Sequence, residues 1–182
     1  MVTTKLTTAD ELAEFPDDGY RYELIGGEVQ RMAPAGGVHG EIGQELGWRL
    51  GAHVSSNDLG RVYLAETGFF LAENPDIVLA PDIAFLRSDR LPPREDRFGF
   101  IRVPPDLVVE VVSPHDRASD IAAKVALYLS LGVRAVWVIE PRLQTVTLYE
   151  VDHRPRILVS GDTLDGGEIV PDFHVAVADL FR

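Results

Sequence analysis

The chain has 182 residues, 46% of them hydrophobic and 25% charged, which is the balance of one ordinary globular domain and excludes the disordered class. It contains no cysteine, which excludes a disulfide scaffold, a thiol nucleophile and a zinc–thiolate site, and which fits a reducing, cytoplasmic setting. Twenty-nine acids against 17 bases leave a net charge of −12, so the surface as a whole repels a polyanion.

Met-Val-Thr-Thr-Lys-Leu has no apolar h-region, so no secretory leader is expected, and no apolar run is long enough to span a membrane. Thr7 and Thr8, with Asp10 and Glu11 three residues on, make overlapping capping boxes for a short helix ended by Pro16. Tyr20 to Ile25 and Glu28 to Met32 flank Gly26-Gly27 and read as a hairpin. A glycine-rich loop, Ala33 to Gly37, leads into a helix from about His39 to Val54. Its Ile42, Leu46, Leu50 and Val54 form an apolar stripe. Gly43, Gly47 and Gly51 form a bare stripe beside it. Each glycine costs a helix about 1 kcal/mol, so a close-packed neighbour is expected on that face.

Strands are expected near Arg61 to Leu71 and Ile77 to Leu86. An arginine-rich loop follows, from Arg87 to Arg102. It holds Arg87, Arg90, Arg94, Arg97 and Arg102 against Asp89, Glu95 and Asp96, so five bases and three acids leave a local +2. Leu107 to Val112 is a very apolar strand, and a helix runs from about Ser119 to Leu131, stopped by Gly132. Ala135 to Ile139 is another buried strand, paired with Thr145 to Val151. The tail reads as short strands and turns. The sum is a single α/β (α+β) domain over residues 1–182, with a mixed central sheet flanked by helices.

Familiar motifs are absent. His39, His53, His115, His153 and His174 make no close zinc spacing. There is no phosphate-binding loop, no dinucleotide glycine fingerprint and no serine-nucleophile elbow. The informative anomaly is Glu110, a carboxylate flanked by β-branched residues in a strand apolar on both faces. Such a charge is costly unless it is paired or binds a metal. The plainer reading is a strand-end residue that reaches a buried arginine or water. Asp82 follows Pro81 at the head of Ile83-Ala84-Phe85-Leu86. Alone it is an ordinary turn residue; beside Glu110 it makes a hard-oxygen pair suited to Mg²⁺ or Mn²⁺. Lys124 is the third. With Ile121 taken as zero, Tyr128 lies at about 340°, Lys124 at about 300° and Leu131 at about 280°. The lysine therefore sits between apolar positions, either snorkelling or aimed into the carboxylate site.

Asp82, Glu110-Val111-Val112 and Lys124 together resemble the PD-(D/E)xK nuclease superfamily, the restriction-endonuclease-like fold. The chain more closely resembles the Uma-two family, a domain of unknown function grouped with endonucleases. The likeness rests on Tyr22-Glu-Leu-Ile-Gly-Gly-Glu28, His39, Pro81-Asp82, Asp106-Leu-Val-Val-Glu-Val-Val-Ser-Pro114, Lys124, Tyr128, Gly132-Val133 and Trp137-Val-Ile-Glu140. Two positions depart from it. The superfamily motif would place a lysine at Val112, and the resemblance implies that Lys124 replaces it from the helix. The family usually carries aspartate at Glu140, which reads here as structural.

The resemblance implies a phosphodiester hydrolase acting on DNA. Asp82, Glu110 and the Val111 carbonyl would hold Mg²⁺ or Mn²⁺, and Lys124 would assist the water or neutralise developing charge. It further implies roles for Glu23, as a metal or water ligand, and for His39, as a phosphate contact or proton carrier. Their plainer readings are a polar hairpin face and a helix-start residue. Arg90, Arg94 and Arg97 are expected on DNA phosphates. A homodimer is expected because a second copy doubles a small basic area. The alternatives are a nuclease-fold module for binding or assembly, and a carboxylate-pair glycosidase that would leave Lys124 without a role.

Overall fold

The structure is a computed structural model, and it describes residues 6–182. The leading residues 1–5, on which the expectation of no leader rests, lie outside the described residues. Thr8 caps α1 (Ala9–Ala13) through a capping box with Glu11. β1 (Arg21–Ile25) and β2 (Glu28–Met32) then form a hairpin with Ile25 opposite Glu28. Its two-residue loop, Gly26-Gly27, takes φ of +61° and +80°, the left-handed pair that a tight hairpin turn requires.

α2 (Gly37–Ser56) is longer than the periodicity indicates by two residues at each end, and takes in only the last residue of the glycine-rich loop. Its stripe of Ile42, Leu46, Leu50 and Val54 is fully buried. The expectation for the three glycines holds at one of them. A Cβ on Gly47 would meet Leu64 at 2.7 Å, whereas Gly43 and Gly51 face open space.

Each of the two long strands expected next is two strands in different sheets. β3 (Gly60–Leu64) and β4 (Phe69–Ala72) are separated by a turn in which Glu66 has φ +77°. β5 (Ile77–Leu79) and β6 (Ile83–Arg87) are separated by Ala80-Pro81-Asp82. Proline has no N–H to give to a ladder, so pairing stops there and the chain changes sheets. β7 (Leu107–Val111), α3 (Ala118–Ser130), β8 (Ala135–Glu140) and β9 (Thr145–Glu150) follow. The tail adds β10 (Arg156–Leu158), β11 (Thr163–Asp165), β12 (His174–Ala176) and a terminal 3₁₀ turn.

Two main sheets result. The larger has the order β10-β9-β8-β7-β6-β3, and the smaller β2-β1-β5-β4. Among the described strands only β7 and β8 run parallel, joined through α3, and β7 is buried along its whole length as a covered parallel strand must be. α2 and the tail cover one face of the larger sheet, against Phe85, Val109, Trp137 and Ile139. α3 covers the other face, with Val125 and Tyr128 on Val108 and Val136. α1 packs with the smaller sheet. No helix of the described residues is long and apolar enough to cross a membrane.

Candidate active site

The described residues bury four carboxylates: Glu23, Asp82, Asp106 and Glu110. Three of them meet where the chain passes from the smaller sheet to the larger. Glu23 comes from β1, Asp82 from the β5–β6 crossover, and Glu110 from the C-terminal end of β7. In β7 the odd positions Val109 and Val111 face α2, so the period of two turns Glu110 toward α3. There it meets Lys124 and Tyr128, one turn apart on that helix.

Lys124 lies between the sheets. Its Nζ is 3.0 Å from Glu110 Oε1 and 3.0 Å from Glu23 Oε1. The Tyr128 hydroxyl donates to Glu110 Oε1 at 2.7 Å, and the Ala80 N–H donates to Glu23 Oε1 at 2.9 Å. Both Asp82 oxygens are also engaged. Arg21 Nη1 donates to Oδ1 at 3.1 Å, the Val111 N–H donates to Oδ2 at 2.8 Å, and His39 Nε2 stands 3.1 Å from Oδ2. The five sequence candidates thus fall in two adjoining sets, Glu23, Glu110 and Lys124 in one and Asp82 and His39 in the other, coupled through the charges of Asp82 and Glu110. Glu23 is not an exposed hairpin residue, and His39 points inward from the first turn of α2.

Ionisation follows from these contacts. Burial pushes the Glu110 carboxyl up, Lys124 opposes this, and the Asp82 and Glu23 charges add to it; the net effect is upward. Burial also pushes Asp82 up. The His39 hydrogen bond and charge, the Val111 N–H and the Arg21 guanidinium together outweigh it and hold that carboxyl below its usual range. The Asp82 hydrogen bond outweighs burial at His39 and raises the imidazolium. Burial disfavours the Lys124 ammonium, but Glu110 and Glu23 hold it charged more firmly than an ordinary lysine. The Tyr128 phenol is pushed well up by burial and by Glu110, so it stays a donor.

Val111 reaches the site through its N–H, which donates to Asp82. Val112 packs on the α3 core and gives its N–H to Ile139. Glu140 accepts from the Arg142 N–H at the β8–β9 turn, a structural use. Arg90 is half-buried and already engaged. It is paired at 2.6 Å with the fully buried Asp106 and donates to the Pro104 carbonyl. Arg87 and Arg102 are also occupied, by Asp89 and Glu73. Arg94 and Arg97 have no ion pair among the described residues and line an open cleft instead. Sequence reasoning missed Arg21 altogether and took Tyr128 for plain core. Arginine opening a hairpin strand is ordinary, and a helical apolar period does not reveal where a phenol points.

The fold is shared with a protein of known structure. A crystal structure described as a "putative nuclease belonging to DUF820", from Anabaena variabilis ATCC 29413, superposes with a TM-score of 0.83. It is 22% identical, with 96% of this chain and 97% of that chain covered. No curated protein matches the sequence. Residues 9–178 match the family Uma2, described as "Putative restriction endonuclease". That match runs from α1 into the terminal turn and takes in every side chain of both sets, and on it the chain belongs to the Uma2 family.

Proposed function

We propose that this protein is a divalent-metal-dependent nuclease that hydrolyses phosphodiester bonds in DNA. The observation that carries the reading is that Glu23 and Glu110 converge on Lys124 while the buried Asp82 stands close enough for its charge to act on Glu110, the four coming from four separate elements. Burying three carboxylates is expensive, and nothing in the folding of two packed sheets requires it.

The donor set suits Mg²⁺ or Mn²⁺, since all of its anionic donors are hard oxygens. Among the described residues no three His, Asp or Glu side chains are grouped to enclose an ion. Mg²⁺ commonly uses one or two carboxylates and takes the rest of its shell from water and substrate phosphate. Asp82 and Glu110 would hold it, with the Val111 carbonyl as a further candidate ligand. When bound, the ion neutralises phosphate charge and lowers the pKa of the attacking water.

The protein's own groups have separate tasks. Lys124, charged at all working pH values and anchored on two carboxylates, offsets charge developing on the phosphate. Tyr128 fixes the orientation of Glu110, and Arg21 fixes that of Asp82. His39, with a raised pKa, can carry a proton beside Asp82. Arg94 and Arg97 would contact phosphates outside the site. The absence of cysteine accords with a cytoplasmic setting, and two copies would double the phosphate contacts. Light scattering at micromolar concentration should then exceed the 20.1 kDa of one copy.

The deciding experiment is cleavage of supercoiled plasmid with Mn²⁺, by the parent and by Asp82→Ala. Nicking that disappears in the variant supports the nuclease. A parent that cuts under no condition favours a nuclease-fold module for binding or assembly. The saturation of Asp82 by Arg21, His39 and Val111 favours that second reading.

A further inference from the structure

A cleft of about 330 Å³ opens beside the edge strand β3, lined by Arg61, Tyr63, Arg94, Arg97 and Phe98. Two buried polar side-chain atoms among the described residues have no hydrogen-bond partner, the Tyr63 hydroxyl and Arg97 Nε. Both residues line this cleft. Unpaired buried donors are costly and rare, and here they share one cavity.

The local geometry explains the charge. Arg94–Arg97 is a 3₁₀ turn, in which residues three apart eclipse. Arg94 and Arg97 therefore share the face that lines the cleft, while Glu95 and Asp96 fall on the other sides. Arg61 comes from β3 and donates to its own Gly60 carbonyl at 2.8 Å. None of the three arginines has an ion pair among the described residues, in a chain where most cations do. At the rim Phe98 is 86% exposed, a bare aromatic ring beside concentrated positive charge.

The cleft lies on the same face of the larger sheet as the carboxylate cluster. Tyr63 pairs with Ala84 and Arg61 with Leu86, and paired residues point to one side. Ala84 and Leu86 stand two and four residues past Asp82, or about 7–13 Å of strand. That is a few nucleotides away from a phosphate at the cluster.

We propose that this cleft is a subsite for one unpaired nucleotide of the nucleic acid being cut. Its phosphate sits among Arg61, Arg94 and Arg97 and satisfies the Tyr63 hydroxyl, and its base stacks on Phe98. Duplex DNA cannot fill it, because stacked base pairs present edges and phosphates but no free ring face. Single strands are held by this combination of cationic groove and aromatic platform. The inference rests on the nuclease reading for the identity of the ligand, and it adds strandedness.

The test measures binding without cutting. Fluorescence anisotropy in chelator compares a short labelled single strand with its duplex, on the parent, Phe98→Ala, Phe98→Trp and Arg97→Gln. Phe98→Ala should weaken single-strand binding about tenfold and leave duplex binding within about twofold. Phe98→Trp should restore it. Arg97→Gln should weaken it and lower its salt slope by about 0.7 unit. Unchanged single-strand affinity in Phe98→Ala, or an equal loss for the duplex, overturns the subsite. So does full displacement of the strand by inorganic phosphate at the concentration where a mononucleotide has no greater effect. If the parent cuts plasmid while Phe98→Ala binds normally, the nuclease reading stands and the subsite falls. If nothing is cut while Phe98→Ala loses the single strand, the subsite stands and the nuclease reading falls.

Discussion

Lys124 holds two carboxylates from different sheets at equal distance, and its loss would leave both buried with one cation fewer. Lys124→Met should therefore lower stability by about 3–5 kcal/mol, read by urea or thermal melts in chelator. Glu110→Gln should act in the opposite direction. The folded state raises the Glu110 pKa, so native protein holds its proton more tightly than the unfolded chain does. That contribution is complete below the ordinary value of 4.5 and is lost as pH rises through the raised folded value. The variant lacks this loss. At neutral pH in chelator it should be more stable by on the order of 1 kcal/mol, and the difference should vanish near pH 4. Mn²⁺ at 100 times its dissociation constant should stabilise the parent by about 2.7 kcal/mol and the variant little. Equal shifts in the two would exclude Glu110 as a ligand. Glu110 was legible because a charge in a strand apolar on both faces demands a partner. Lys124 was legible from its angle on the helix. Arg21 was not, because its partner Asp82 is 61 residues away and nothing local marks it. The partner of Arg90 was hidden for the same reason: counting charges in a segment misses the buried Asp106 that pairs with it.

At the scale of elements, helices, capping and the hairpin were readable because their signals are local. The division of strands between sheets was not. An apolar run spanning Ile77 to Leu86 looks continuous, and the sequence does not say that the two sides of Pro81 pair with different partners. That break also creates the site, since Asp82 occupies the crossover and β5 brings Ala80 to Glu23. The glycines of α2 offer a direct test. Gly43→Ala places a methyl in open space and should stabilise the protein by up to about 1 kcal/mol through helix propensity alone. Gly60→Ala should prevent stable folding, because φ is +153° and its Cβ would strike the Leu86 carbonyl oxygen across the β3–β6 pair. Melting temperatures of the two variants should move in opposite directions.

For the whole molecule the dominant quantity is a net charge of −12, against which any polyanion must be drawn to a small basic area. With Arg90 committed to Asp106, that area reduces within the arginine-rich segment to Arg94 and Arg97. The double variant Arg94→Ala, Arg97→Ala should weaken nucleic-acid binding and reduce the slope of log affinity against log salt by about two units. A slope equal to the parent's would remove the segment from the interface. The seam between the sheets has one more consequence. Two backbone amides, Ala80 beside the smaller sheet and Val111 in the larger, are tethered directly to site carboxylates, Glu23 and Asp82. They are therefore built-in magnetic reporters of what those carboxylates bind. In a titration with diamagnetic Mg²⁺, the nitrogen-15 and proton resonances of both amides should shift along one common isotherm, with no substrate present. A shift confined to Val111 would show that Glu23 stays with Lys124 while Asp82 takes the ion, and so would divide the cluster's two functions between its two sheets.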